Sequence, residues 1–231
     1  MKRRQLHELW GLDISKSPVT DFTIGIDSIE KIVAKMQEKP WPVYKIKVGV
    51  PGDIEMVTAL RKHTEAIFRV DANAGWTLEQ AMEKIPILKE LGVEFVEQPL
   101  AKDNWEGMKM LYEKSPLPLI ADESCVSEHD VEKCHLYFHG INIKLTKCSG
   151  ITPAKRMITN ARQLDMKVMV GCMNESSVGT AAIAQLAPLL DYVDMDGPLL
   201  LAEDIAAGVS FDYGKIIYTD KPGIGIEIAA F

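Results

Sequence analysis

Short apolar runs alternate with longer amphipathic segments along almost the whole chain. The runs predicted as strands are Phe22–Ile26, Val43–Val48, Ile67–Asp71, Phe95–Glu97, Leu117–Ala121, Gly140–Leu145, Lys167–Val170 and Tyr192–Asp196. Between them the apolar positions recur with helical spacing, as in Ser28–Lys39, Asp53–His63, Thr77–Leu91 and Pro153–Leu164. Capping residues support these helices: Asp27-Ser28 opens one, Thr77 with Glu79 and Gln80 opens another, and Gly92 closes it. Strands joined in turn by helical segments predict the α/β class and a parallel (β/α)7β TIM-like barrel. An open doubly wound sheet is the competing architecture, weakened because no Gly-rich phosphate loop follows the first strand. Residues 3–11 predict a short amphipathic helix, so residues 1–20 are a lead-in helix and loop, and 21–204 the catalytic barrel. Residues 205–231 are an irregular tail of turns and short strands where an eighth helix would stand.

Composition narrows the function classes. At 231 residues and 47% hydrophobic, the chain suits one barrel with a sizeable core. A net charge of −7 argues against a nucleic-acid partner. Cys125, Cys134, Cys148 and Cys172 lack metal-site spacing and read as reduced, mostly buried thiols of a cytoplasmic protein. The opening MKRRQLHELWGL has no apolar signal-peptide region, and no run approaches the length of a membrane span, so no membrane partner is expected.

The candidate chemistry begins at Tyr44-Lys45-Ile46-Lys47-Val48. Two lysines sit two apart in a strand otherwise apolar, so both point the same way. Mutual repulsion is expected to lower the pKa of at least one, which suits a general base. The alternative is an edge strand with two solvated lysines. Further strands also end in charge: Asp71 closes the third, Glu97 the fourth and Asp122 the fifth, while Lys144 lies in the sixth and Asp194 and Asp196 in the eighth. Catalysis in such barrels sits at the C-terminal strand ends. Three carboxylates on consecutive strands call for a counter-ion, and an all-oxygen set suits Mg²⁺. Lys47 and Lys144, on opposite sides of the barrel, would flank a substrate whose carboxylate meets that ion. One base on each face predicts a 1,1-proton transfer through an enediolate, that is, racemisation or epimerisation.

KIK at 45–47, VDAN at 70–73, VEQP at 96–99, ADES at 121–124 and INIKLTKCSG at 141–150 together resemble the enolase superfamily, in its muconate-lactonizing-enzyme subgroup. The resemblance covers roughly residues 20–200. It implies that Lys47 and Lys144 are the acid/base pair, that Asp71, Glu97 and Asp122 hold one Mg²⁺, and that Lys45 contacts the substrate carboxylate and depresses the pKa of Lys47. The Asp-Met-Asp-Gly at 194–197 resembles the dipeptide epimerases of that subgroup, in which an Asp-x-Asp receives the substrate α-ammonium group. Thr23 and Cys172 fall where those enzymes make further substrate contacts; a β-forming Thr and a buried Cys are the alternatives. The resemblance also implies an N-terminal capping domain, of which only about twenty residues precede the first strand here. The expectation is that the cap is supplied by a missing N-terminal segment and that the tail packs toward it.

The function expected is therefore a Mg²⁺-dependent epimerase of small dipeptides, cytoplasmic and homo-oligomeric, drawing on peptidoglycan-derived substrates. Alternatives within the subgroup are an N-acylamino acid racemase, an o-succinylbenzoate synthase or a cycloisomerase. A Schiff-base enzyme using Lys144 and a non-catalytic barrel are alternatives outside it.

Overall fold

The computed structural model describes residues 3–229; the outermost ends of the expected lead-in and tail, residues 1–2 and 230–231, lie outside the described residues. Eight parallel strands close into a barrel in chain order: β1 (Thr20–Ile24), β2 (Val43–Lys47), β3 (Ile67–Asp71), β4 (Val93–Glu97), β5 (Leu119–Ala121), β6 (Gly140–Lys144), β7 (Lys167–Gly171) and β8 (Tyr192–Asp194), with β1 pairing both β2 and β8. Helix α1 (Leu6–Leu9) precedes the barrel. The connections carry α2 (Ile29–Glu38), α3 (Asp53–Arg61), α4 (Leu78–Glu90), α5 (Trp105–Lys114), α6 (Val131–Cys134), α7 (Leu145–Cys148), α8 (Ile151–Gln163) and α9 (Ser177–Ala184). After β8 come a 3-10 turn (Gly197–Leu200) and four short strands, β9 (Ala206–Ala207), β10 (Ser210–Asp212), β11 (Lys215–Ile217) and β12 (Glu227–Ile228), paired as β10–β11 and β9–β12. The (β/α)7β expectation thus holds. Among the described residues no helix is long and apolar enough to cross a membrane.

Local chemistry sets the element ends. The Ser28 hydroxyl accepts from Lys31 N–H to start α2, and Thr77 and Gln80 form a reciprocal capping box on α4. Several boundaries differ from the sequence expectation by one to three residues, and two of these bear on the site. The first strand runs Thr20–Ile24 rather than Phe22–Ile26: Thr20 and Asp21 pair with Val193 and Asp194 of β8, and Asp27 and Ser28 already form the helix start. The eighth ends at Asp194, so Asp196 lies just past the strand, where the chain turns into Gly197–Leu200.

The strands separate stability from chemistry. Their outward side chains, including Phe22, Ile24, Tyr44, Ile46, Phe68 and Val70, are buried under the helices. Each fully buried large apolar side chain contributes about 1.5–3 kcal/mol. Inside the barrel a separate plug of Phe95, Ile120 and Met169, with Tyr192 against it, fills the closed end. Arg69 lies over the rings of Phe95 and Tyr192, at 5.5 and 4.9 Å from their centroids. From there to the mouth the interior is polar.

Candidate active site

Strand register assembles the polar interior. Lys47 is the Cα partner of Asp71 and Asp71 that of Glu97, so the second, third and fourth strands deliver a cation and two carboxylates side by side at the same level. Asp122 follows immediately after β5, and Lys144 ends β6. Lys47, Asp122 and Lys144 line a cavity of about 490 Å³ at the C-terminal strand ends, together with Lys45, Thr23, Cys172, Asp194 and Asp196, while Asp71 and Glu97 are buried beneath it against Lys45.

Each carboxylate meets a lysine. Lys47 Nζ lies 2.7 Å from Asp71 Oδ2, and Lys144 Nζ lies 2.7 Å from Asp122 Oδ2. Lys147, one turn along α7, reaches Asp122 Oδ1 at 2.9 Å. Lys45 sits deeper, 2% exposed, with Nζ 2.8 Å from Glu97 Oε2, 3.1 Å from Asp194 Oδ2 and 3.2 Å from Asp71 Oδ2. The expected lowering of a lysine pKa by the Lys45–Lys47 pair is not what Lys45 does. Burial pulls its pKa down, but Glu97, Asp194, Asp71 and Asp21 together push it well above the ordinary lysine value. The same opposition acts on Lys144, where burial is outweighed by Asp122 and Glu97 and the pKa rises. The sequence pattern shows two like charges on one strand; it does not show four carboxylates arriving from other strands.

The carboxylates are themselves unequal. Burial lifts Asp71, but Lys45 and Lys47 more than offset this and hold it at about 2. Glu97 is buried next to Asp71 and Asp122 and is pushed up to about 7. Asn142 donates to Glu97 Oε1 at 2.7 Å, while Oε2 is buried, close to Lys45 but without an aligned hydrogen bond. Hard oxygen donors on three neighbouring strands, one with an unsatisfied buried atom, fit a cation such as Mg²⁺. With their oxygens drawn onto lysines, Asp71, Glu97 and Asp122 do not stand in mutual contact. Among the described residues, the ligand atoms that all lie within 4.8 Å of one another are those of Cys172, Asp194 and Asp196.

That second group forms the opposite wall. Asp196 Oδ2 accepts from Thr23 N–H at 2.6 Å. Burial and the neighbouring Asp194 raise the Asp196 pKa to about 6. Cys172 Sγ lies 3.8 Å from Asp194 Oδ1 and 3.6 Å from Asp196 Oδ1. Burial and these carboxylates drive the Cys172 pKa far upward, which keeps it a thiol and argues against a nucleophile. A wall of paired carboxylates with a neutral thiol suits an organic cation.

All ten residues singled out by sequence line this cavity or its floor. Several others were not marked. Gln98 is fully buried at φ 37°, a left-handed value unusual outside glycine. Its amide oxygen accepts from Asp122 N–H and Ser124 N–H at 3.0 and 3.1 Å, and its NH₂ donates to Leu100 O and Ser124 Oγ. It therefore ties the VEQP and ADES segments together and sets where Asp122 stands. Glu123 lines the cavity with Oε2 buried and unpaired. Glu175 is buried too, with Oε1 accepting from Met173 N–H, but it borders a separate apolar pocket beside α9. A polar residue inside a sequence motif gives no sign of which backbone it will bind; that signal exists only across strands.

The family model for the enolase C-terminal domain-like fold matches residues 28–230. The chain is 57% identical over 227 residues to an L-Ala-D/L-amino acid epimerase of Flavobacterium johnsoniae, covering 98% of this chain and 68% of that protein. It is similar to the substrate-liganded L-Ala-D/L-Glu epimerase of Bacillus subtilis, with TM-score 0.91 and 30% identity over 99% of this chain and 68% of that one. It is also similar to the dipeptide epimerase of Cytophaga hutchinsonii complexed with Mg and D-Ala-L-Val, with TM-score 0.91 and 29% identity over 98% of this chain and 66% of that one. The chain spans about two thirds of the length of each.

Proposed function

The chain belongs to the enolase C-terminal domain-like family, and from that membership we propose that it is a Mg²⁺-dependent dipeptide epimerase. The observation that carries this reading is the pair Lys47 and Lys144, on the second and sixth of eight strands, facing one cavity from opposite sides. Inversion at a carbon needs a proton acceptor on one face and a donor on the other, and two lysines so placed meet that need. Asp71, Glu97 and Asp122 would hold the cation. Once bound, it would neutralise charge gathering on the substrate carboxylate as the Cα proton leaves.

The chain's own residues do the rest. Lys47 and Lys144 exchange the Cα proton at Nζ, one from each side. Lys45, fixed among three carboxylates, remains a cation on the cavity floor and meets the substrate carboxylate from below. Asp194 and Asp196 receive the α-ammonium group, with Thr23 N–H fixing Asp196 and Cys172 closing the wall. This wall favours a dipeptide over an N-acyl substrate, whose amide carries no positive charge. A Schiff-base enzyme needs no metal site, so the trio of Asp71, Glu97 and Asp122 disfavours that alternative. As substrates we propose alanyl dipeptides such as those released from peptidoglycan, met in the cytoplasm by a homo-oligomer whose cap lies N-terminal to the sequence given.

The test is Cα proton–deuterium exchange by NMR with Mg²⁺, across dipeptides and their N-acetylated forms. Exchange of free dipeptides, weakened strongly by N-acetylation, supports the reading. Equal exchange of both forms would remove the ammonium site from it and favour an N-acylamino acid racemase.

A further inference from the structure

Below the ammonium wall lies a carboxyl group that the proposed reaction does not use. Asp21 on β1 is the Cα partner of Asp194 on β8, and both point into the barrel. Asp21 is 0% exposed and Asp194 4%. Asp21 Oδ2 accepts from Arg69 Nη1 at 2.9 Å, but Oδ1 is buried and receives no hydrogen bond.

The cations in reach are already shared. Arg69, on β3, also binds Glu94 of β4 through Nε at 2.8 Å. Lys45, on β2, is divided among Asp71, Glu97 and Asp194. An ionised Asp21 would therefore be a second anion beside Asp194, dry, with one oxygen lacking any donor. That arrangement is costly. A proton on Asp21 Oδ1 removes the cost: the orphaned acceptor becomes a donor, and the carboxylate beside it becomes the acceptor. The two acids titrate apart accordingly. Burial and the Asp194 charge push Asp21 well above the carboxylate range, against the pull of Arg69 and Lys45. Asp194 is lowered despite burial, chiefly by Lys45.

We infer that Asp21 is a neutral carboxylic acid that donates its hydrogen bond to Asp194 and thereby positions that carboxylate for the substrate ammonium group. The inference rests on the proposed role of Asp194 in binding that group. Asp21 touches no substrate and is a positioning residue. With a neutral donor beneath it, Asp194 keeps its full negative charge and a fixed orientation, with Oδ2 toward Lys45 and Oδ1 toward the Cys172 side of the cavity. Binding of the ammonium group, remote from the transferred proton, then depends on Asp21, while proton transfer itself does not.

Asparagine is the neutral mimic. In Asp21→Asn the amide oxygen can accept from Arg69 and the NH₂ can donate to Asp194. In Asp21→Ala both bonds are lost. With the full chain, Mg²⁺ and an L-Ala-D/L-Glu substrate, Asp21→Asn should keep KM within about twofold, whereas Asp21→Ala should raise KM about tenfold with kcat changed much less. Equal KM values for the two variants, or a loss confined to kcat, overturn the inference.

A second measurement does not depend on activity or on a variant that folds. In the unmutated chain labelled with ¹³C at the aspartate carboxyls, the Asp21 signal, assigned through the backbone, should have the shift of a protonated acid at pH 7. A carboxylate shift there overturns the inference whatever the kinetics show. If no dipeptide exchanges at all, the epimerase reading fails, and the carboxyl signal still decides whether Asp21 holds the proton.

Discussion

Lys144 Nζ lies 2.7 Å from Asp122 Oδ2, and this ion pair raises the lysine pKa against the pull of burial. Burial alone would lower the pKa; Asp122 and Glu97 raise it above the ordinary lysine value. A divalent cation that takes up those two carboxylates would weaken their hold on Lys144. The residues proposed to bind metal and the lysine proposed to move the proton are thus electrostatically linked, and removing the metal should disable the base as well as the carboxylate site.

The first prediction concerns that metal. Asp71→Asn, Glu97→Gln and Asp122→Asn should each weaken Mg²⁺ binding by about tenfold or more. Calorimetric titration of the three variants checks it, and unchanged affinity in all of them would remove the trio from the metal site.

A second prediction follows from the Glu97 pKa of about 7 in the metal-free chain. A carboxyl raised on folding stabilises the fold below its unfolded value, near 4.5, and loses that contribution as pH rises through about 7. The loss is on the order of 3 kcal/mol. Asp71, held at about 2, works in the opposite sense: its contribution is present above the unfolded value near 3.8 and is lost only as pH falls through about 2. Thermal unfolding of the metal-free chain between pH 5 and 8 should therefore show destabilisation as pH rises, and Glu97→Gln should flatten it. Mg²⁺ binding at pH 6 should release about one proton, seen as a buffer-dependent heat, and close to none at pH 8.5.

How much of this was legible beforehand follows from periodicity. Inward-facing positions two apart on a strand are visible in sequence, so Lys45 with Lys47, and the carboxylates closing the third, fourth and fifth strands, could be read as one polar face. The helical connections and the missing eighth helix were visible in the same way. Contacts between strands distant in sequence were not. Nothing in the pattern around Lys45 shows that Asp194 arrives from β8 to raise its pKa. Nor does Thr20-Asp21-Phe22-Thr23 show that Asp21 will pair in register with Asp194. Arg69 sits two positions from Asp71 and carried the same period-2 signal, but a single arginine in a strand gives no indication that it stands over an aromatic plug.

A third prediction tests Gln98. Its amide makes four buried hydrogen bonds across the loops that end β4 and β5. Gln98→Ala leaves Asp122 N–H and Ser124 N–H without partners and should cost about 2–4 kcal/mol in denaturant unfolding. Gln98→Gly loses the same bonds but suits φ 37°, so it should be less destabilising than alanine by about 1 kcal/mol. The reverse order would mean that the left-handed backbone at this position is not a source of strain.

The last prediction separates the two faces. Lys47 Nζ and Lys144 Nζ are each paired at 2.7 Å with a carboxylate on opposite flanks of the cavity, so each should serve the proton of one epimer. Lys47→Ala should abolish Cα–H exchange from one epimer in D₂O, with a loss of about 10²–10⁴-fold, while the other still exchanges through Lys144. Lys144→Ala should show the mirror pattern. Net epimerisation should vanish in both, because inversion needs a donor on the face opposite the acceptor. A one-base mechanism gives a different signature: one variant dead for both epimers, the other merely slowed. The two variants also differ in what they leave behind. Asp71 without Lys47 still has Lys45, and Asp122 without Lys144 still has Lys147, so neither carboxylate is stranded without a cation. Mg²⁺ affinity measured on the same samples should therefore stay within about threefold of the parent, which distinguishes a lost base from a lost metal site. Epimerisation surviving Lys144→Ala with the metal still bound would end the two-base reading and leave a single-base reaction on the same barrel.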